Sequence, residues 1–201
     1  MGKIITVGRE FGSNGRAVAK ALSEALNINY YDRELIALAA KKSKLSDEEL
    51  EHVDETRANP WLYSSVSYQV GSGYTTIEPI NDILFKAESE VIEEIAASED
   101  AVIVGRCSDY VLRHKVDSRH IFIYAPLNYR ISVVQARDQI DEKEAKRLIK
   151  KMDKQRRLYY NFYTDRTWNE LRNYDLAIDS SIFSQKDIIK ILKQVYETLE
   201  D

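Results

Sequence analysis

Ile4-Ile5-Thr6-Val7-Gly8-Arg9-Glu10-Phe11-Gly12-Ser13-Asn14-Gly15-Arg16-Ala17-Val18 is the stretch on which the reading of this chain turns. It opens with a short apolar, β-branched run, passes through three glycines, and enters a helical stripe made by Val18, Ala21, Leu22, Ala25 and Leu26. Strand, glycine-rich turn and helix form a phosphate-binding context: glycines let backbone N–H groups converge, and the helix N-terminus adds roughly half a positive charge. Arg9, Gly12, Ser13, Asn14, Gly15, Arg16 and Ala17 are therefore the candidate phosphate contacts, within a loop read as Gly8 to Ala17. The plainer alternative is a tight turn that binds nothing. The usual pattern G-x-x-x-x-G-K-[ST] is not met, because Gly15 stands where the lysine would be and Arg16 where the hydroxyl would be. Arg9 and Arg16 are the cations able to replace that lysine.

Similar β-branched runs recur at Ala101 to Val104, Ile121 to Tyr124 and Leu176 to Ile178, with Tyr30-Tyr31-Asp32 as a further short strand. None alternates, so both faces are expected to be covered by helices. Helical stripes separate them: Ile83, Leu84, Val91, Ile92 and Ile95 in one, and Ile188, Ile191, Leu192, Val195 and Leu199 in the last. Strand and helix in alternation predict a three-layer α/β fold with a five-stranded parallel sheet and right-handed crossovers. Ligands of such sheets bind beyond the carboxyl ends of the strands. One domain over residues 1–201 is expected, with an inserted segment at 55–79 carrying Trp61, Tyr63, Tyr68 and Tyr74 among Ser, Thr, Gly71 and Gly73. A functional loop, an aromatic homodimer contact and a packed flap are equally consistent with its composition.

The totals exclude several classes. No apolar run approaches the ~20 residues of a membrane helix, and the first residues lack the signature of a signal peptide. Met1-Gly2-Lys3-Ile4-Ile5-Thr6 formally fits an acylation motif, but Ile4, Ile5 and Val7 read as a buried strand that leaves little free arm. A cytoplasmic protein is expected. The single cysteine, Cys107, cannot form an internal disulfide, and three scattered histidines give no metal-ligand spacing, so no metal ligand is assigned. A net charge of -4 argues against general binding to nucleic acid or membrane.

Four landmarks, in order along the chain, carry a family resemblance. They are Arg9-Glu10-Phe11-Gly12-Ser13-Asn14-Gly15-Arg16, Tyr30-Tyr31-Asp32-Arg33-Glu34-Leu35-Ile36, Val102-Ile103-Val104-Gly105-Arg106, and Tyr174-Asp175-Leu176-Ala177-Ile178-Asp179-Ser180-Ser181. Together they resemble the cytidylate kinase-like family of P-loop nucleoside-monophosphate kinases. The resemblance implies transfer of a phosphoryl group from ATP, with Mg2+, to a small-molecule nucleotide such as CMP. It also implies a helical lid, here 141–168, and an acceptor-side location for segment 55–79.

On that resemblance Asp32 and Arg106 become acceptor-binding candidates. For Asp32 the competing role is an N-cap of the following helix, and for Arg106 a structural salt bridge. Cys107 stands where the family has an aspartate, which leaves the base open. The helix opened by Asp141 with Glu144 carries Ala145, Leu148, Ile149 and Met152 on one face and a strongly basic surface elsewhere. Its end, Asp153-Lys154-Gln155-Arg156-Arg157-Leu158-Tyr159-Tyr160, resembles the family's lid. Arg157, then Arg156, then Arg130 are the expected catalytic cations beside Arg16, closing on the transferring phosphate. Tyr159, Tyr160, Phe162, Tyr163 and Trp168 are read as packing of the lid on the core in preference to base stacking. Two other functions stay open: a nucleotide-binding protein without efficient catalysis, and a kinase of another small molecule.

Overall fold

The computed structural model describes residues 2–43, 65–70, 74–115 and 117–199, with the strands 65–70 and 74–79 given as backbone. Residues 1–32 with 93–201 make one compact unit, and 33–92 make a second.

The first unit is built on a fully parallel five-stranded sheet. Its strands are β1 (Ile4–Arg9), β2 (Asn29–Tyr31), β5 (Ala101–Val104), β6 (Ser118–Tyr124) and β7 (Leu176–Asp179), in the order β2-β5-β1-β6-β7. All five expected strands are present. Register is fixed along the centre, where Ile4 to Val7 oppose Ala101 to Val104 on one side and Ser118 to Ile121 on the other. Ile4, Ile5, Val7, Val102, Ile103, Ile121 and Ile123 are essentially inaccessible, as a strand covered on both faces requires. The chain leaves β1 toward β2 and leaves β6 toward β7 on the opposite side. The sheet therefore has its switch point between β1 and β6, where a crevice opens at the carboxyl ends.

Helices α1 (Gly15–Leu26) and, at the end of the chain, α7 (Gln185–Glu197) lay Val18, Ala19, Leu22, Ile188 and Leu192 on this sheet. Leu199, expected in the last helix, follows its end yet remains buried in the same core. Between them lie α4 (Ser108–Val111), α5 (Leu127–Asp138) and α6 (Glu142–Thr164). The Asp141 side chain caps α6 by accepting from the Glu144 N–H, as the sequence predicts. The start of α6 is packed down: Ala145 and Ile149 join Ile131 and Val134 of α5, with Phe11 and Leu148 against them.

The second unit contains α2 (Glu34–Ser43), the hairpin β3 (Ser65–Val70) with β4 (Tyr74–Pro79), and most of α3 (Ile80–Ser98). Ala39, Ile80, Leu84 and Ala87 form its core. The sequence reading anticipated no hairpin in segment 55–79, because an antiparallel pair gains its stability from partners rather than from its own residues. Residues 55–64 and 71–73 of that segment, including Trp61, Tyr63, Gly71 and Gly73, lie outside the described residues.

Candidate functional site

The glycine-rich turn is shorter than its sequence suggests. Gly8 and Arg9 belong to β1, and Gly15, Arg16 and Ala17 form the first turn of α1, so the loop proper is Glu10–Asn14. Three devices shape it. Gly12 has φ +84°, and a Cβ there would meet the Arg130 carbonyl at 2.9 Å. Asn14 is left-handed at φ 59° and makes no side-chain cap, which leaves the first turn of α1 without a capping oxygen. Ser13 is buried, and its hydroxyl donates to the carbonyls of Glu10 and Ile123, each at 3.0 Å. That hydroxyl anchors the loop to β6, and the Ser13 N–H turns back to the Glu10 carbonyl at 3.4 Å.

The loop is also held from the α5–α6 side. The Asp153 carboxylate accepts from the Phe11 N–H at 2.8 Å and from Arg130 Nη1 at 2.5 Å. Arg130 Nη1 reaches the Phe11 carbonyl at 3.4 Å, and its Nε lies 3.4 Å from Glu10 Oε2. Glu10 in turn accepts from the Ala125 N–H at 3.1 Å. Arg130 is therefore buried in a lattice of two carboxylates and a carbonyl. Burial raises the Glu10 carboxyl above its ordinary value despite the Ala125 hydrogen bond and Arg130.

Over this loop the cations gather. Arg156, on α6, donates to the Arg9 carbonyl at 2.8 Å, and its guanidinium lies 5.5 Å from the Phe11 ring centroid. Arg137 approaches the same ring at 4.8 Å. Arg16 pairs with Asp32 at 2.7 Å, and Arg9 Nη2 stands 3.6 Å from the other oxygen of that carboxylate. Burial, together with Arg106 and Arg16, lowers the proton affinity of Arg9, although Asp32 opposes this. Burial and the nearby Arg9 push Arg156 down to about 9. In both, burial leads and a neighbouring guanidinium adds to it, Arg106 for Arg9 and Arg9 for Arg156. Such a cluster favours an anion.

Beside it, the end of β5 turns sharply. Gly105, Arg106 and Cys107 are all left-handed, at φ 74°, 58° and 54°. Non-glycine residues hold that conformation at a cost of about 1–2 kcal/mol each, so the surrounding structure must enforce it. Just beyond, the buried Asp109 carboxylate accepts from the Tyr160 hydroxyl at 2.6 Å. Desolvation lifts Asp109 to about 6 in spite of that hydrogen bond. Tyr174 donates to the Trp168 carbonyl at 2.7 Å, and Trp168 packs edge-on to Phe122. Tyr160 and Trp168 therefore bury in the core, as expected for packing aromatics, whereas Phe162 is 56% exposed.

Of the expected site residues, Arg9, Arg16, Asp32 and Arg156 come together at the loop, with Arg106 close enough to act on Arg9. Arg157 is exposed on α6, one residue and about 100° round from Arg156. The sequence reading puts Arg157 first, whereas Arg156 is the one of the two that reaches the loop here. Arg130 is placed among Glu10, Phe11 and Asp153. Glu10, Asp153 and Arg137 were not anticipated. Asp153 had a signal: it stands one helical turn before Arg156 and faces the same side.

Among the described residues, no group of three or more His, Cys, Asp or Glu could hold a metal ion, and no helix is long and apolar enough to cross a membrane.

Comparison with known proteins agrees with this architecture. A curated cytidylate kinase from Methanopyrus kandleri is 29% identical over 114 residues, spanning 53% of this chain and 59% of that relative's length. A crystal structure of an uncharacterized protein from Eubacterium ventriosum ATCC 27560 is 28% identical, with TM-score 0.71, covering 97% of this chain and 98% of that one. Shikimate kinase from Bacteroides thetaiotaomicron, at 11% identity and TM-score 0.53 over 96% of this chain and 98% of that one, shares the fold. The model of the cytidylate kinase-like family matches residues 4–182, and the chain belongs to that family.

Proposed function

We propose that this protein is a nucleotide kinase that transfers the terminal phosphoryl group of ATP to a nucleoside monophosphate, CMP or a close analogue. The observation that carries the proposal is the cluster of Arg9, Arg16 and Arg156 gathered beside Asp32 at a helix N-terminus whose N-cap side chain makes no capping bond. Such a site attracts a polyanion. An acceptor phosphate oxygen attacks the terminal phosphorus, the bond to the bridging oxygen breaks, and ADP leaves with the electron pair. Chemistry of this kind asks the protein for positioning and for neutralisation of spreading negative charge. Backbone N–H groups of the Gly12–Ala17 turn hold the donor phosphates. Arg156 and Arg16 flank the transferring group, and Arg106 with Asp32 meets the acceptor. Arg157, exposed on α6, is a further lid cation for the transferring group, whereas Arg130, held by Glu10, Phe11 and Asp153, positions the loop.

Magnesium enters as the nucleotide's own complex. The hydroxyl ligand of a standard phosphate loop is replaced by Arg16, followed by Ala17, and the Asp32 carboxylate is engaged by two arginines. Among the described residues no carboxylate cluster is built there to hold the ion. Glycine at the lysine position favours one second reading, a nucleotide-binding protein with little turnover. A coupled assay of ATP consumption against a panel of nucleoside monophosphates separates the two. Acceptor-dependent ADP release is expected, fastest with CMP. Binding of ATP without stimulated turnover by any acceptor selects the second reading, and absence of nucleotide binding refutes both.

A further inference from the structure

We infer that Arg9 takes over the phosphate contact of the absent lysine, reaching the donor phosphates from the end of β1 instead of from the first turn of α1. The inference rests on the nucleotide-binding reading above and adds a steric reason why this loop carries glycine where a lysine is usual. In a strand–loop–helix phosphate site the lysine stands where α1 begins. Here that residue is Gly15. A Cβ built on it would lie 2.6 Å from the Arg9 Cβ, 3.3 Å from the Arg9 Cγ and 3.2 Å from the Ile123 Cβ. The space in which a lysine stem would start is filled by the stem of Arg9. Neither side chain tolerates the other, so a cation can come from one position only.

The far end of Arg9 is guided in the same way. Gly105 has φ +74°, and a Cβ there would lie 2.0 Å from Arg9 Nη1 and 3.2 Å from its Cζ. Two glycines, one opening α1 and one following β5, thus make a slot for one side chain. Within it the Arg9 Nε is buried with no hydrogen-bond partner among the described residues, and the Nη2 to Asp32 distance of 3.6 Å exceeds hydrogen-bond length. Packing, more than acceptors, fixes this guanidinium. A planar fork held ready beside a helix N-terminus suits phosphate oxygens.

The test measures binding of inorganic tripolyphosphate, Mg-ATP and AMP by titration calorimetry to the full chain and to Arg9→Gln, Gly15→Ala, Arg9→Gly and Arg9→Gly/Gly15→Lys, with melting temperatures in parallel. Arg9→Gln is expected to weaken tripolyphosphate and Mg-ATP by about 10²-fold while AMP changes little, since a charge-assisted fork is lost. Gly15→Ala, which keeps Arg9 but displaces its stem, should weaken both by about tenfold. The double variant should recover at least about tenfold over Arg9→Gly, because removing the stem makes room for the lysine. Equal weakening of AMP and tripolyphosphate would make Arg9 structural and overturn the inference. So would a folded double variant no better than Arg9→Gly, or unchanged affinity in Arg9→Gln and Gly15→Ala. If the unaltered chain binds neither tripolyphosphate nor Mg-ATP, the kinase reading itself fails.

Discussion

Arg130 and Asp153 offer a decisive perturbation, because they separate a structural clamp from a catalytic cation. Their side chains are 11% and 17% exposed and meet at 2.5 Å. Removing one partner of a buried pair costs about 3–5 kcal/mol when the other charge is stranded. Here Glu10 stays 3.4 Å from Arg130 and the pair retains some solvent, which puts Asp153→Ala just below that range, about 2–3 kcal/mol. Losing the acceptor of the Phe11 N–H adds about 1 kcal/mol. Arg130→Ala should cost about 3 kcal/mol, since it strands two carboxylates and empties volume between α5 and α6. In the double variant each loss relieves part of the other, so the coupling energy should be about 1.5–2 kcal/mol. Urea denaturation followed by circular dichroism reads this directly, with a midpoint drop of about 1–1.5 M for each single variant. Additivity within about 0.5 kcal/mol would refute the clamp. So would an Arg130→Ala protein of undiminished stability whose kcat has fallen, which would return Arg130 to the transferring phosphate.

Three other outcomes follow from the same geometry. Gly12→Ala should destabilise by about 2–4 kcal/mol in thermal unfolding, the sum of a left-handed alanine and the 2.9 Å approach to the Arg130 carbonyl; a loss under about 0.5 kcal/mol would mean the loop relaxes freely. The folded-state value of Asp109, about 6, lies above its ordinary 3.8, so the native state holds the proton more tightly and stability falls as pH rises through that window. Asp109→Asn should erase up to ~3 kcal/mol of that slope between about pH 4 and 6, and identical stability–pH curves for the two proteins would count against the burial argument. Arg156→Met should raise the melting temperature of the ligand-free protein by a few degrees while shrinking the gain produced by tripolyphosphate, because a desolvated cation disfavours the empty site and favours the filled one. A lower melting temperature with an intact tripolyphosphate response would assign Arg156 to packing.

The fold was legible because its signals are local. Short β-branched runs at Ile4, Ala101, Ile121 and Leu176 and the helical stripes between them need no knowledge of distant partners. The Asp141–Glu144 cap was legible for the same reason, its partners being three residues apart. The hairpin of Ser65–Val70 with Tyr74–Pro79 was not, since pairing depends on what each strand meets.

For the site, the sequence by itself determined that a glycine-rich turn joins a buried strand to a helix, and that arginines rather than a lysine supply its charge. Only the tertiary structure decided which arginines stand beside that turn. Arg156 and Arg157 are neighbours in sequence, but about 100° of helical rotation turns one toward the Arg9 carbonyl and the other to solvent. Asp153 and Arg130 are 23 positions apart, and the packing of α5 on α6 brings them together under Phe11. Gly15 looks like a defect when read along the chain; in three dimensions its missing side chain is the space that the stem of Arg9 occupies. Sequence carries the period of an element, whereas the sharing of volume between elements exists only once they have packed.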